Sequence, residues 1–282
     1  MDTTRQSIVK TYRYLRIAMV LLVLLLAAAV LREAAAVGFD CAQKSISGYY
    51  YTPAQGVFVG ALVAIGACLV VIKGSTDTED VLLNIAGMLM PVVAFVPTPF
   101  EAGCSSTPVQ AARVNENVTN NVFALLVMGA VALLVAAYFK RHGPAEMERR
   151  VFAWGTGASV VVYLVVAVTY AADREFFIKV AHYGAAIPMF GCFVAVALID
   201  ARLFGLGPDP TRRTRPWLNR YALVAEGMVA SIVLGAAAHV VFGWEHWLLA
   251  VESALIALFA WFWVLQTRQL WSTGFWERGP TP

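Results

Sequence analysis

The feature that most constrains this chain is a succession of apolar runs, each near the roughly 20 residues an α-helix needs to cross a hydrocarbon core. Eight such runs can be placed in the 282 residues, at 15–37, 56–73, 81–98, 121–140, 151–172, 180–202, 218–242 and 246–270. Backbone amides and carbonyls find no water inside lipid, so runs of this kind fold as helices that satisfy their own hydrogen bonds. The pattern predicts an all-α, polytopic transmembrane bundle forming a single integral membrane domain over residues 1–282. Only Gly243, Trp244 and Glu245 separate the last two runs. Fusing them lowers the count to seven, with one helix of about fifty residues, well beyond ordinary helix lengths.

Composition removes the main alternatives. The chain is 60% hydrophobic and 14% charged, against roughly 45–50% and about 25% in soluble domains. An ordinary soluble enzyme and a disordered chain are excluded on that ground. The net charge of +3 comes without a basic stripe interleaved with aromatics, so no nucleic-acid partner is expected. No Gly-rich phosphate loop or dinucleotide fingerprint is present, and the four cysteines form no CxxC pair that would start a zinc ribbon.

Basic residues give an orientation. Of the 21 Lys and Arg, sixteen fall on one side of the spans: Arg5, Lys10, Arg13, Arg16, Lys73, Lys140, Arg141, Arg149, Arg150, Arg202, Arg212, Arg213, Arg215, Arg220, Arg268 and Arg278. Five fall on the other: Arg32, Lys44, Arg113, Arg174 and Lys179. The expectation is a multipass protein of the plasma membrane with both termini cytoplasmic. Arg32 and Glu33 interrupt the first run, which argues for a retained span rather than a cleaved signal peptide.

The outer side gathers the chemistry-bearing residues. Cys41 and Cys104 fall in its first two loops and are the candidate disulfide; the alternative is two unpaired thiols. His182, His239 and His246 lie at that level, and three imidazoles from separate helices suit zinc with an open position for water. Glu252 and Glu245 are then the candidate general bases. The plainer reading makes these interfacial polar residues, beside Trp244 and Trp247 in an aromatic belt. Glu252 is inside a span, where a carboxylate is expensive and faces the bundle interior, as a functional group or as a structural hydrogen-bond partner. Ser45, Ser47, Tyr49, Tyr50 and Tyr51 offer hydroxyls to a lipid headgroup or serve as interface anchors. Pro91 and Pro188 kink two spans and suit a cavity opening outward.

The order of these motifs resembles a family. Residues 45–74, SISGYYYTPAQGVFVGALVAIGACLVVIKG, are similar to a hallmark segment of a group of uncharacterised bacterial and archaeal multipass proteins. Asn84, Ala86, Gly87, Pro97 and Thr98 resemble that group's next span. His182-Tyr183 with Ala185-Ala186 resembles its His-led helix, and Trp247 to Glu252 its last, Glu-containing span. The group is distantly similar to the family uniting the FGF-receptor-activating protein and the DRAM autophagy modulators. The resemblance implies six spans, here extended to eight by an inserted hairpin at 121–172, and an involvement with membrane lipids. It also gives Tyr49, Tyr50, Tyr51, His182 and Glu252 functional weight. Gln55-Gly56 stands where the group carries an Arg-Asp pair, so a role for that pair is absent here.

Three readings follow. The first is a protein that binds or organises membrane lipids in an outward-facing polar and aromatic cavity, with His182 among its ligand-binding residues. The second is a zinc-dependent lipid hydrolase, similar to the CREST membrane hydrolases. Those place their last two histidines four apart on one helix, whereas His239 and His246 are seven apart across a turn. The third is a proton-coupled small-solute carrier using Glu252. Whether the protein is an enzyme is left open by the sequence.

Overall fold

The computed structural model describes residues 3–100, 113–142, 149–205, 215 and 217–272. Cys104, Arg212, Arg213 and Arg278 lie outside the described residues. All regular structure among the described residues is helical. The long helices are α1 (Thr3–Val37), α2 (Gln55–Val71), α3 (Asp77–Phe95), α4 (Val114–His142), α5 (Arg149–Ala172), α6 (Arg174–Gly205), α7 (Arg220–Phe242) and α8 (Trp247–Gln269). Between α1 and α2 the chain makes two 3-10 turns, Phe39–Cys41 and Ser47–Tyr51.

Among the described residues, seven helices are long and apolar enough to span a membrane, and α2, with 17 residues, is the shorter apolar one. At 1.5 Å per residue it is about 25 Å long, short of a hydrocarbon core of about 30 Å. The protein is a helical integral membrane bundle. The last two runs are separate helices. Gly243 takes the left-handed conformation (φ 64°) and its N–H bonds the His239 carbonyl at 2.9 Å, which ends α7. The first helix starts well before 15, because Arg13 and Arg16 lower the local hydropathy without interrupting the helix. Likewise α6 begins at Arg174, so His182 sits two turns inside it rather than opening it.

Six helices close a ring. α1 packs on α2, α2 on α3, α3 on α6, α6 on α7, α7 on α8, and α8 returns to α1. The hairpin α4–α5 stands outside, leaning on α3 and α6. Burial follows this plan: 67% of the α3 span is buried, against 6% for α4 and 11% for α5. The ring positions of α1 form one stripe, Arg16, Met19, Val23, Leu26 and Val30, all buried and spaced three or four apart.

Two residues set the tight α2–α3 crossing. A Cβ on Gly66 would stand 2.9 Å from the Gly87 carbonyl oxygen, and one on Gly87 would stand 2.7 Å from that of Gly66. Pro91 lacks the N–H that would bond Gly87 four residues back, so this carbonyl is free to face the neighbouring backbone. Close backbone approach through small residues is how membrane helices gain packing energy.

α3 begins with Thr76, whose hydroxyl accepts the Glu79 N–H at 3.1 Å. α7 begins with Asn219, whose side-chain oxygen accepts from Tyr221 and Ala222 while its amide donates to the Ala201 carbonyl at 2.8 Å. These caps fix the end of the bundle that carries Lys73, Arg202 and Arg220, called here the basic end. The Ser47–Tyr51 turn closes the opposite end.

Candidate functional site: a plugged central cavity

The Ser47–Tyr51 turn is a plug, with every residue in it buried. Its amino end is held from α8. The Glu252 carboxylate accepts the Ile46 N–H at 2.5 Å and also bonds the backbone and hydroxyl of Ser47. A carboxylate here meets the unpaired N–H groups at the start of a helical turn. In return the Lys44 carbonyl accepts the Leu249 N–H at 2.8 Å, satisfying a donor in the first turn of α8. Ser45 and Ser47 hydroxyls are 3.1 Å apart, and Ser45 accepts the Gly48 N–H at 3.0 Å.

The other side of the plug is held by the end of α3. Tyr51 donates to the Thr98 carbonyl at 2.7 Å, and Ser47 approaches the Thr98 hydroxyl at 3.4 Å. Tyr50 bonds the side chains of Gln55 and Asn117, and Tyr49 the backbone of Gln43. Burial pushes all three phenols above their ordinary value. The three tyrosines are therefore internal struts, each 3% exposed or less, and their hydroxyls are used within the protein.

His182 is placed by a related need. Pro97 has no N–H, so the Val93 carbonyl lacks its helical partner at the end of α3. The imidazole hydrogen-bonds there, with Nδ1 2.7 Å from the Val96 carbonyl oxygen and a further bond to the Val93 backbone. It is 2% exposed.

Beneath the plug, in the middle of the ring, lies a cavity of about 70 Å³. Its walls include Phe58, Leu62, Met90, Phe193 and Phe259, from α2, α3, α6 and α8. Its polar lining comes from three side chains, Ser47, His182 and Glu252. The structure thus brings together Ser45, Ser47, Tyr51, His182 and Glu252, residues scattered over more than two hundred positions of sequence.

The remaining candidates lie elsewhere. Glu245 is exposed and paired with Lys44 at 3.0 Å, and this bond holds its carboxyl below the usual carboxylate value. His239 is exposed, stacks on Trp247 at 5.3 Å and has Nδ1 3.2 Å from the Trp244 carbonyl oxygen. His246 is the N-cap residue of α8. Among the described residues, no three His, Cys, Asp or Glu side chains stand together to hold a metal ion. Cys41 is in a disulfide, whereas Cys68 and Cys192 are free thiols; the Cys104 expected opposite Cys41 lies outside the described residues.

Sequence reasoning missed a second polar cluster, at the basic end. Arg16, Glu79, Asp200 and Gln266 come from four helices and are 0–2% exposed. In the sequence Arg16 counts only as one more positive charge for orientation. Its place on the buried stripe of α1 is the signal that marks it.

No family model, curated protein or solved structure matches this chain.

Proposed function

We propose that this protein binds a membrane lipid through the polar end of its central cavity, whose volume of about 70 Å³ takes only the short stretch of chain beside the lipid's polar group, with the plug end facing outward and the basic end in the cytoplasm of a plasma-membrane topology. The observation that carries the reading is the cavity itself, apolar along its walls and polar at one end, where Ser47, His182 and Glu252 meet. That polarity matches a chain with a polar head. The resemblance to a lipid-linked membrane family points the same way.

The walls alone do not select a ligand. Lipid tails already sit in an apolar solvent, so moving one into the cavity gains little from hydrophobic burial. Preference comes from the polar end. The Glu252 carboxyl keeps an oxygen that accepts hydrogen bonds, so this end suits a hydroxyl or amino group close to the chain.

The test is to purify the full chain in mild detergent, extract it with organic solvent and identify what is released. A reproducible lipid class with a hydroxyl or amine near the chain, enriched over the membrane it came from, supports the reading. Release of bulk lipid in membrane proportions contradicts it.

A further inference from the structure

The hairpin α4–α5 carries an inference that the central cavity does not. At the plug end, where Asn117 of α4 reaches Tyr50, a separate cleft of about 570 Å³ opens between the start of α4, the end of α5 and the start of α6. Small-molecule sites are commonly of this size. Asn115, Glu116, Asn120 and Phe123 line it from α4, and Tyr170 and Arg174 from the other side. We propose that this cleft binds the headgroup of a phospholipid that carries a primary ammonium beside its phosphate, with the lipid's chain running down α4.

Local structure sets the two walls. Tyr170 is buried and donates to the Thr119 carbonyl at 3.3 Å, which joins the end of α5 to the start of α4. Asp173 alone separates α5 from α6, and its carboxylate accepts the Phe176 N–H at 2.9 Å as a helix cap. Arg174 follows at once and lays its guanidinium over the Tyr170 ring, 5.2 Å from the centre.

Glu116 and Arg174 thus face one cleft from different helices, and among the described residues no ion pair joins them. Opposite charges set apart around one open space complement a zwitterion. A guanidinium meets a phosphate with two parallel N–H bonds. An ammonium donates three hydrogen bonds, which Glu116 and the amide oxygens of Asn115 and Asn120 accept. A headgroup with phosphate alone would set its charge against Glu116. A choline group has no N–H to donate, and the aromatic face that attracts such cations is covered by Arg174. Below the polar groups, Phe123, Val127 and Val131 follow at one-turn intervals on α4, all exposed. An amphiphile uses both parts of this surface, whereas a soluble zwitterion uses only the first.

The test adds lipid to the full chain in detergent, because an open cleft exchanges its lipid during purification. Short-chain phosphatidylethanolamine, phosphatidylcholine and phosphatidylglycerol are titrated calorimetrically below their micelle-forming concentrations. The expected result is that the ethanolamine lipid binds about tenfold more tightly than the other two, the effect of one charge-assisted hydrogen bond. Glu116→Gln removes that preference, and Arg174→Gln weakens all three lipids. Both residues are exposed, so both variants keep the wild-type unfolding temperature. Ala186→Phe fills the central cavity and leaves the preference intact, which separates this site from the cavity. Glycerophosphoethanolamine, the same headgroup without chains, binds more weakly; equal binding would assign the cleft to a soluble compound and overturn the lipid assignment. Equal affinities for the three lipids, a preference that survives Glu116→Gln, or one lost in Ala186→Phe would overturn the proposal.

Discussion

Glu252 and Ile46 are 206 positions apart in sequence and joined by a hydrogen bond of 2.5 Å. This contact ties the last helix of the ring to the turn that closes it. It also explains why a carboxylate stands inside an apolar span. It serves the open N–H groups of a helical turn that itself lacks a side-chain cap. Glu252 thus anchors the plug and lines the cavity beneath it.

Glu252→Ala is expected to free the plug. Each buried donor left unmet at Ile46 and Ser47 costs about 1–3 kcal/mol. Thermal unfolding should fall, and amide exchange at Ile46 and Ser47 should rise ahead of exchange in α2 and α3. Glu252→Gln keeps an acceptor oxygen and should lose less. Equal protection of the plug in all three proteins would show that Glu252 does not hold it.

His182→Ala removes the donor that meets the Val96 carbonyl. The expected destabilisation is about 1–3 kcal/mol, the usual range for a buried group left unsatisfied. His182→Gln can donate to the same carbonyl and should recover part of it. The check is denaturation of the three proteins side by side; equal stability of His182→Ala and wild type would remove the capping role.

Gly66→Ala and Gly87→Ala should each be destabilising, since the added carbon meets a backbone oxygen rather than a movable side chain. Overpacking of this kind typically costs about 1–3 kcal/mol. Gly60→Ala, on the same helix, meets nothing within 4 Å and should be neutral. Similar unfolding temperatures for Gly66→Ala and Gly60→Ala would contradict the close crossing.

The buried tyrosines give a pH dependence. Tyr51 has its phenol raised above the ordinary value of 10.0, first by desolvation. A proton held more tightly in the folded state than in the unfolded chain contributes stability that is complete below the unfolded value. That stability is lost as pH rises past it toward the folded one. Unfolding temperature should therefore decline above about pH 10, and Tyr51→Phe should decline less. Absorbance titration should show the plug tyrosines ionising above the ordinary phenol value; their ionisation at the ordinary value would contradict their burial.

Much of this architecture was legible in the sequence, and the failures have physical causes. Apolar run length located every long helix, because lipid imposes a length that hydropathy reads directly. It misjudged α1 and α6 at their starts, where charged residues such as Arg13, Arg16 and Lys179 sit within continuing helix. Glu252 stood out because a carboxylate in an apolar run is costly wherever it is. From sequence the tyrosines are interface anchors or hydroxyls offered to a headgroup, whereas in the fold Thr98, Gln43, Gln55 and Asn117 receive or support them. Sequence spacing gives no view of such long-range partners. Glu79, Asp200 and Gln266 were missed for the same reason: each sits near a span end, where polar residues are ordinary, and only the closed ring brings them together. The histidines share a level along the membrane normal, but level does not fix direction around the ring, and His239 is exposed whereas His182 lines the cavity.

The central claim is that the cavity holds a short segment of a membrane lipid, and native mass spectrometry of the full protein released from mild detergent tests it most directly. Ala186 lines the cavity, and Ala186→Phe should fill it. The account predicts a lipid-mass adduct on the wild type that is absent from Ala186→Phe, with the variant still folded by circular dichroism. A wild type that carries no adduct, or a folded Ala186→Phe that carries the same adduct, would contradict it.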